Sequence, residues 1–192
     1  MYRMVQGAAR QPGPRERLLE AAIDYVSSHG IGNLSLRGLA AALGTSHRML
    51  SYHFGSREGL LVAVVREVEE RQRALLADLG DAPGATRREI AERMWERLTD
   101  PALAGNERLF FELYGQALQG HPHAAPLLDG IVDDWLGPAE ELLRRFGVPA
   151  RDVAAQARLE LAVVRGLLLD LLATGDREGV DAALERFLAL SG

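Results

Sequence analysis

Gly44 divides two short segments of the same periodicity, and no other feature of this chain restricts its fold as tightly. Ahead of it, Leu36, Leu39, Ala40 and Leu43 recur at helical spacing behind Ser35, whose hydroxyl suits a helix start. Behind it, Thr45 or Ser46 is placed to cap a second segment, Ser46 to Tyr52, with Met49 and Leu50 facing inward. Two short helices about a glycine turn make a helix-turn-helix. A helix from Arg15 to His29 precedes the pair, with Leu18, Leu19, Ala22, Ile23 and Val26 recurring at helical spacing and Gly30 as its stop. Ser56 caps a longer helix reaching about Leu79. Its apolar stripe runs from Leu60 through Val64 and Val68 to Leu76, and the mixed-charge face from Arg66 to Arg73 reads as solvated surface.

Charge sets this region apart. Residues 1–57 hold seven arginines against three carboxylates, a net of +4; the whole chain is −5, so the remainder carries −9. From Tyr25 through Arg57 there is no carboxylate at all. A basic lobe on an acidic body presents one face to a polyanion and keeps the rest away. Hydrophobic residues at 47% and charged residues at 26% fit a globular protein. There is no cysteine, which suits a reducing, cytoplasmic setting and excludes a disulfide framework or thiolate chemistry. The N-terminal residues lack an apolar run, and the apolar stretches further on are broken by Glu160, Arg165 and Asp170, so neither a signal peptide nor a membrane partner is expected.

The rest of the chain is also read as helical. Thr86 and Glu89 form a capping box ahead of Ile90, Met94, Trp95 and Leu98. Glu107 to Gln119 carries Leu109, Phe110, Leu113 and Tyr114. Ala124 to Phe146 reads as one helix kinked at Gly137-Pro138. Arg151 to Ala173 is apolar nearly all round and therefore expected to be covered on both sides. Asp176 to Leu190 closes the chain. No strand pattern is visible.

The run Leu-Ser-Leu-Arg-Gly-Leu-Ala-Ala-Ala-Leu-Gly-Thr-Ser (34–46), followed by Leu-Ser-Tyr-His-Phe-Gly-Ser-Arg-Glu-Gly-Leu-Leu (50–61), resembles the N-terminal domain of TetR-family transcriptional regulators. The resemblance covers about residues 15–65. It implies an all-α fold of about nine helices, with an N-terminal three-helix helix-turn-helix DNA-binding domain ahead of a larger helical ligand-binding and dimerisation domain. The expected divisions are a flexible arm at 1–12, the DNA-binding domain at 13–58, and the effector-binding and dimerisation domain at 59–192. One position departs from the family pattern, Leu-Tyr-x-His-Phe: Ser51 stands where the family places a phosphate-contacting tyrosine, and Tyr52 follows it.

A recognition helix needs donors for base edges, while its neighbours fix register on phosphates. His47, Arg48 and Met49 occupy the first turn. Arg48 suits a guanine edge or a phosphate, and Met49 a thymine methyl or the core. Ser35, Thr45, Ser46, Ser51, Tyr52, His53 and Arg57 read as backbone clamps, with a packed structural role as the alternative for His53. On the resemblance, Arg37 joins them at a base or phosphate. The expected partner is a near-palindromic operator bound by a homodimer, through Leu161, Val164, Leu168 and Leu172 on one C-terminal helix and Val180, Leu184, Phe187 and Leu188 on the other. Met94, Trp95, Leu98, Phe110, Phe111, Tyr114, Trp135 and Leu168 gather apolar and aromatic side chains fit either for plain core or for a pocket holding a largely apolar effector. Arg165, Glu112 or Gln116 would be its polar anchor.

His121 and His123 flank Pro122, but a metal site needs further ligands, from Glu107 or Asp129, so no metal and no cofactor is expected. No Gly-x-Ser-x-Gly, phosphate loop or His-Glu-x-x-His occurs, which argues against an enzyme. The reading is a repressor released by a small effector. The competing one is a helical binding protein or enzyme with a degenerate helix-turn-helix.

Overall fold

The computed structural model describes residues 12–190 apart from 31, 33 and 34. The expected arm, up to residue 11, and most of the connector after Gly30 lie outside the described residues. Among those described there are nine α-helices, two short 3-10 turns and no strand. In chain order these are α1 Pro14–His29, α2 Leu36–Ala42, α3 His47–Phe54, α4 Arg57–Asp81, α5 Arg87–Leu98, α6 Ala104–Leu118, α7 Asp133–Arg145, α8 Ala150–Thr174 and α9 Arg177–Leu190.

Local chemistry sets the starts. Ser35, Ser46 and Ser56 accept hydrogen bonds from the amides of Gly38, Met49 and Gly59, each three residues on. The Thr86–Glu89 capping box closes in both directions. Gly44 holds the turn between α2 and α3 at φ +64°, in the left-handed region that glycine tolerates without strain. α1, α2, α3 and the first turns of α4 enclose Val26, Leu39, Leu50, Leu60 and Val64, all nearly or fully buried. The same cluster continues into Leu109, Phe110 and Leu113 of α6, so α4 and α6 join the N-terminal lobe to the rest.

Four expectations are corrected. Residues 124–146 are not one kinked helix: a 3-10 turn, Ala125–Leu128, gives way at Gly130 (φ +79°) before α7 begins at Asp133, with Pro138 inside it. The face Arg66–Arg73 is not wholly solvated, because Glu69 and Gln72 point inward and are buried. Met49 faces outward at 39% exposure, not into the core. α8 is covered on one side only: Leu168 is buried, while Leu159 and Leu169 are about half exposed (49% and 50%). Leu168, Val180 and Leu184 share a core with Trp95 inside one chain, and Leu161 and Val164 are partly buried and pack toward Met94 and Trp135. The outward row of α8 is instead Ala155, Leu159, Ala162, Gly166, Leu169 and Ala173, repeating at three- and four-residue steps. No helix among the described residues is long and apolar enough to cross a membrane.

α6 meets α1 with almost no clearance. A Cβ on Gly105 would stand 2.4 Å from the carbonyl oxygen of Val26 and 2.9 Å from that of Ser27. The Ser27 hydroxyl also donates to the Ala102 carbonyl beside it. Gly105→Ala is therefore expected to lose about 1–3 kcal/mol to overpacking, although alanine favours a helix over glycine by up to ~1 kcal/mol. A urea titration at fixed protein concentration checks this, and an unchanged midpoint would mean that α1 does not rest on α6.

Candidate nucleic-acid interface and buried pocket

α3 is anchored from below by Leu50, which is fully buried, and by Phe54, under the Arg15 guanidinium 5.1 Å from its ring centre. Helical geometry then sends Arg48, Met49 and Tyr52 outward together. His47, Arg48 and Tyr52 are exposed, Tyr52 at 80%. Ser51 is half-buried, so at this pair the phenol projects and the hydroxyl does not. Ser35, Arg37 and Ser46 are exposed on the same lobe, and Thr45 is half-buried in the turn. The capping hydroxyls of Ser35 and Ser46 accept from backbone amides and keep their own protons for an outside acceptor. His53 is half-buried with its Nε2 enclosed and without a hydrogen-bond partner. Arg57 donates to the Gly32 carbonyl and lies 3.8 Å from Glu58, which ties the connector to α4. The arrangement is a row of donors and a phenol with no carboxylate on α3, the side-chain set that phosphates and base edges accept.

A second site lies between α4, α5, α6, α7, α8 and α9. It is a cavity of about 140 Å³. Met94, Trp95 and Leu98 line it from α5, Phe110 from α6, Trp135 from α7, and Arg165 and Leu168 from α8. Phe111 and Tyr114 do not line it. Phe111 lies one residue round the helix from Phe110 and packs into the neighbouring cores. Tyr114 lies a turn beyond Phe110, its ring tilted against it, with Arg165 over it. Glu112 and Gln116 bond to each other, and Gln116 to His123, around a separate surface hollow beside Arg57 and Glu58. Among the described residues no group of three His, Cys, Asp or Glu is arranged to hold a metal ion.

Besides Arg165, Arg87 and Glu160, the polar part of the pocket comes from three buried residues that sequence reasoning did not place there: Glu69, Gln72 and Glu107. Trp135 Nε1 donates to Glu69 Oε2 at 2.7 Å, and Arg165 approaches the same oxygen at 3.6 Å. Burial pushes the Glu69 carboxyl up, while Trp135 and Arg165 draw it back. Arg165 also donates to the Ile131 carbonyl at 2.6 Å and lies over Phe110, and its own burial lowers its pKa. Glu107 has a neutral partner only: Gln72 Nε2 donates to its Oε1 at 2.6 Å. Burial raises the Glu107 carboxyl from 4.5 to about 7, with the nearby Glu69 charge adding to the shift. A signal for these residues exists in the sequence. Val65, Glu69, Gln72 and Leu76 follow one inward heptad row, and Glu107 heads the row of Phe110 and Tyr114.

Because its carboxyl is raised in the native state, Glu107 keeps a proton between about pH 4.5 and 7 that the unfolded chain has released. Its contribution to stability is therefore full below pH 4.5 and lost as pH rises through about 7, a change of roughly 3 kcal/mol. Glu107→Gln removes that loss. Urea midpoints at fixed protein concentration should be higher for the variant at pH 8 and converge with the wild type near pH 4.5; equal midpoints at pH 8 contradict a neutral Glu107.

Comparison with known proteins bears on both sites. The profile of bacterial regulatory proteins of the tetR family matches residues 18–64, from α1 to the first turns of α4. The HTH-type transcriptional regulator BetI of Pseudomonas paraeruginosa is 29% identical over 184 residues, covering 91% of this chain and 89% of its own length. A TetR-family member from Streptomyces coelicolor A3 is 30% identical, with 91% of this chain and 98% of that one covered, at a TM-score of 0.63. A regulator from Saccharomonospora viridis, solved in complex with choline, shares the fold at a TM-score of 0.69 and 24% identity, covering 91% of this chain and 95% of its own.

Proposed function

This chain belongs to the TetR family and is a DNA-binding transcriptional regulator, and on that premise we propose that it is a repressor released from its operator by a small organic cation. The observation that carries the effector class is Glu107, a buried carboxyl in an aromatic-walled cavity whose only hydrogen-bond partner is an amide. A charged ammonium group supplies the counter-charge that Glu107 lacks. Trp95, Phe110 and Trp135 line the cavity with aromatic rings of the kind that attract such a cation once water is excluded, and Phe110 and Trp135 already carry the guanidinium groups of Arg165 and Arg73 over them. The apolar remainder of the lining favours methylated or alkylated ammonium over a heavily hydrated one. At about 140 Å³ the cavity is smaller than the roughly 300–1,000 Å³ of sites for drug-sized molecules, which favours a compact ligand. The choline held by the Saccharomonospora viridis protein is of this class.

Arg165 does not favour an anionic effector, because one of its terminal nitrogens already faces Glu69 and donates to the Ile131 carbonyl. Release works through α4, which carries Glu69 and Gln72 in its middle and supports α3 through Leu60 and Leu61 at its start. A ligand that binds better to a tilted α4 draws the population toward that state and moves the reading helices off their half-site spacing. The twofold partner that this needs is a second copy of the chain, packed on the outward row of α8 from Ala155 to Ala173 and on the outer face of α9. Small residues there let helices approach closely, and a near-palindromic operator follows from the symmetry.

Two measurements test the reading. Fluorescence anisotropy with operator DNA should show that choline or tetramethylammonium weakens binding, and that an uncharged ligand of equal size does so far less. Equal effects would overturn the cation reading. Arg48→Ala should cost about 1–3 kcal/mol at one base position and relax preference there. A loss spread evenly over all sequences would place Arg48 on a phosphate instead.

A further inference from the structure

The three carboxylates that line the pocket, Glu69, Glu107 and Glu160, are not equivalent. Glu69 faces Arg165 at 3.6 Å, accepts from the Trp135 indole and has Arg73 nearby on its own helix. Glu160 at the α8 wall is paired with Arg87 of α5. Around Glu107 the charged groups are Glu69 from α4, which repels its ionised form, and Arg97 from α5, whose attraction is the weakest influence on it. From α8 comes Arg165, already engaged by Glu69. No histidine lines the cavity. Glu107 is therefore the acid of the pocket wall that burial raises to about 7 with only a neutral amide as hydrogen-bond partner.

Resting on the organic-cation reading above, we propose that the effector enters this pocket in exchange for the proton of Glu107, so that binding the cation releases one proton to solvent. The Glu107 O–H bond breaks, the proton passes to water, and the carboxylate left behind faces the ammonium group. The pocket's net charge is the same before and after. This avoids both of the costly alternatives, a bare carboxylate in the empty cavity and an uncompensated cation in the filled one. It also makes the response of the regulator depend on pH. A permanently charged effector binds in full only where Glu107 gives up its proton easily, and acidification favours the DNA-bound state at a given effector concentration.

Calorimetric titration of the full chain with choline chloride tests this, since choline keeps its charge at every pH used. Titrations run between about pH 6 and pH 8, each in two buffers of different ionisation heat. The expected result is close to one proton released per choline at pH 6 and little at pH 8. The association constant should rise about tenfold per pH unit up to about 7 and then level off. Glu107→Gln should flatten the profile and abolish the proton release. It should still bind the carbon isostere of choline, which shows that the pocket is intact. Choline binding with no proton release and no pH dependence overturns the exchange while leaving the cation reading standing. A wild-type profile that persists in Glu107→Gln also overturns it, by assigning the proton elsewhere. Failure of choline and tetramethylammonium to bind at any pH overturns the cation reading and the exchange with it. The buffer comparison uses the wild-type protein alone, so it stands even if the variant does not fold.

Discussion

Two carboxylates sit inside an apolar helical bundle, and the ways they are neutralised organise the C-terminal part of the molecule. An ionised carboxylate without a partner in such a place costs several kcal/mol. Glu69 meets this with an arginine from α8 and an indole from α7, which draws three helices around one oxygen. Glu107 meets it with an amide from α4 and a carboxyl that burial raises to about 7. The cavity lies between these two solutions. Its walls are aromatic and aliphatic because everything else in the bundle is packed for burial; its polarity is concentrated on the α4–α6 contact, where Gln72 and Glu107 join across the helices. The pocket and the support of the reading lobe therefore share one pair of helices.

Capping chemistry made four of the nine described helix starts legible in the sequence. Ser35, Ser46, Ser56 and Thr86 each satisfy an amide three residues on, so each helix start is written within four residues and needs no tertiary information. The break at Gly130 was not legible in this way. Leu127, Leu128, Ile131 and Val132 keep the apolar pattern running through it, and the short 3-10 turn has no capping side chain. On α3 the buried Leu50 fixes which residues face out, and Met49 follows Arg48 and Tyr52 outward although its apolar side chain suggested the core. In the pocket, the aromatic members were readable from their spacing. Glu69 and Gln72 were hidden inside a run of charges, where high local polarity outweighs the heptad position that turns them inward.

α8 shows why apolarity alone does not say which face meets what. Both of its faces are free of charge over much of their length. The larger side chains, such as Leu168, fill the chain's own core, where volume is needed. Ala155, Ala162, Gly166 and Ala173 gather on the outer row with Leu159 and Leu169. A sequence reading that ranks positions by hydrophobicity picks the first set for an interface. A reading that asks which residues leave a flat, closely approachable surface picks the second.

The glycine at the α1–α6 contact has a consequence for signal transmission. Gly105 and Glu107 are two residues apart on one helix, so they point to nearly opposite sides of it: one at the last carbonyls of α1, the other into the cavity. On the effector reading proposed above, this gives the cavity a second route to the lobe beside α4, across the two sides of a single turn. A rigid turn has no internal slack, so motion of Glu107 toward an occupant is motion of Gly105 away from α1 by the same distance. No relay of side chains is needed between the chamber and the lobe that carries α3. What separates them is the width of one helix backbone.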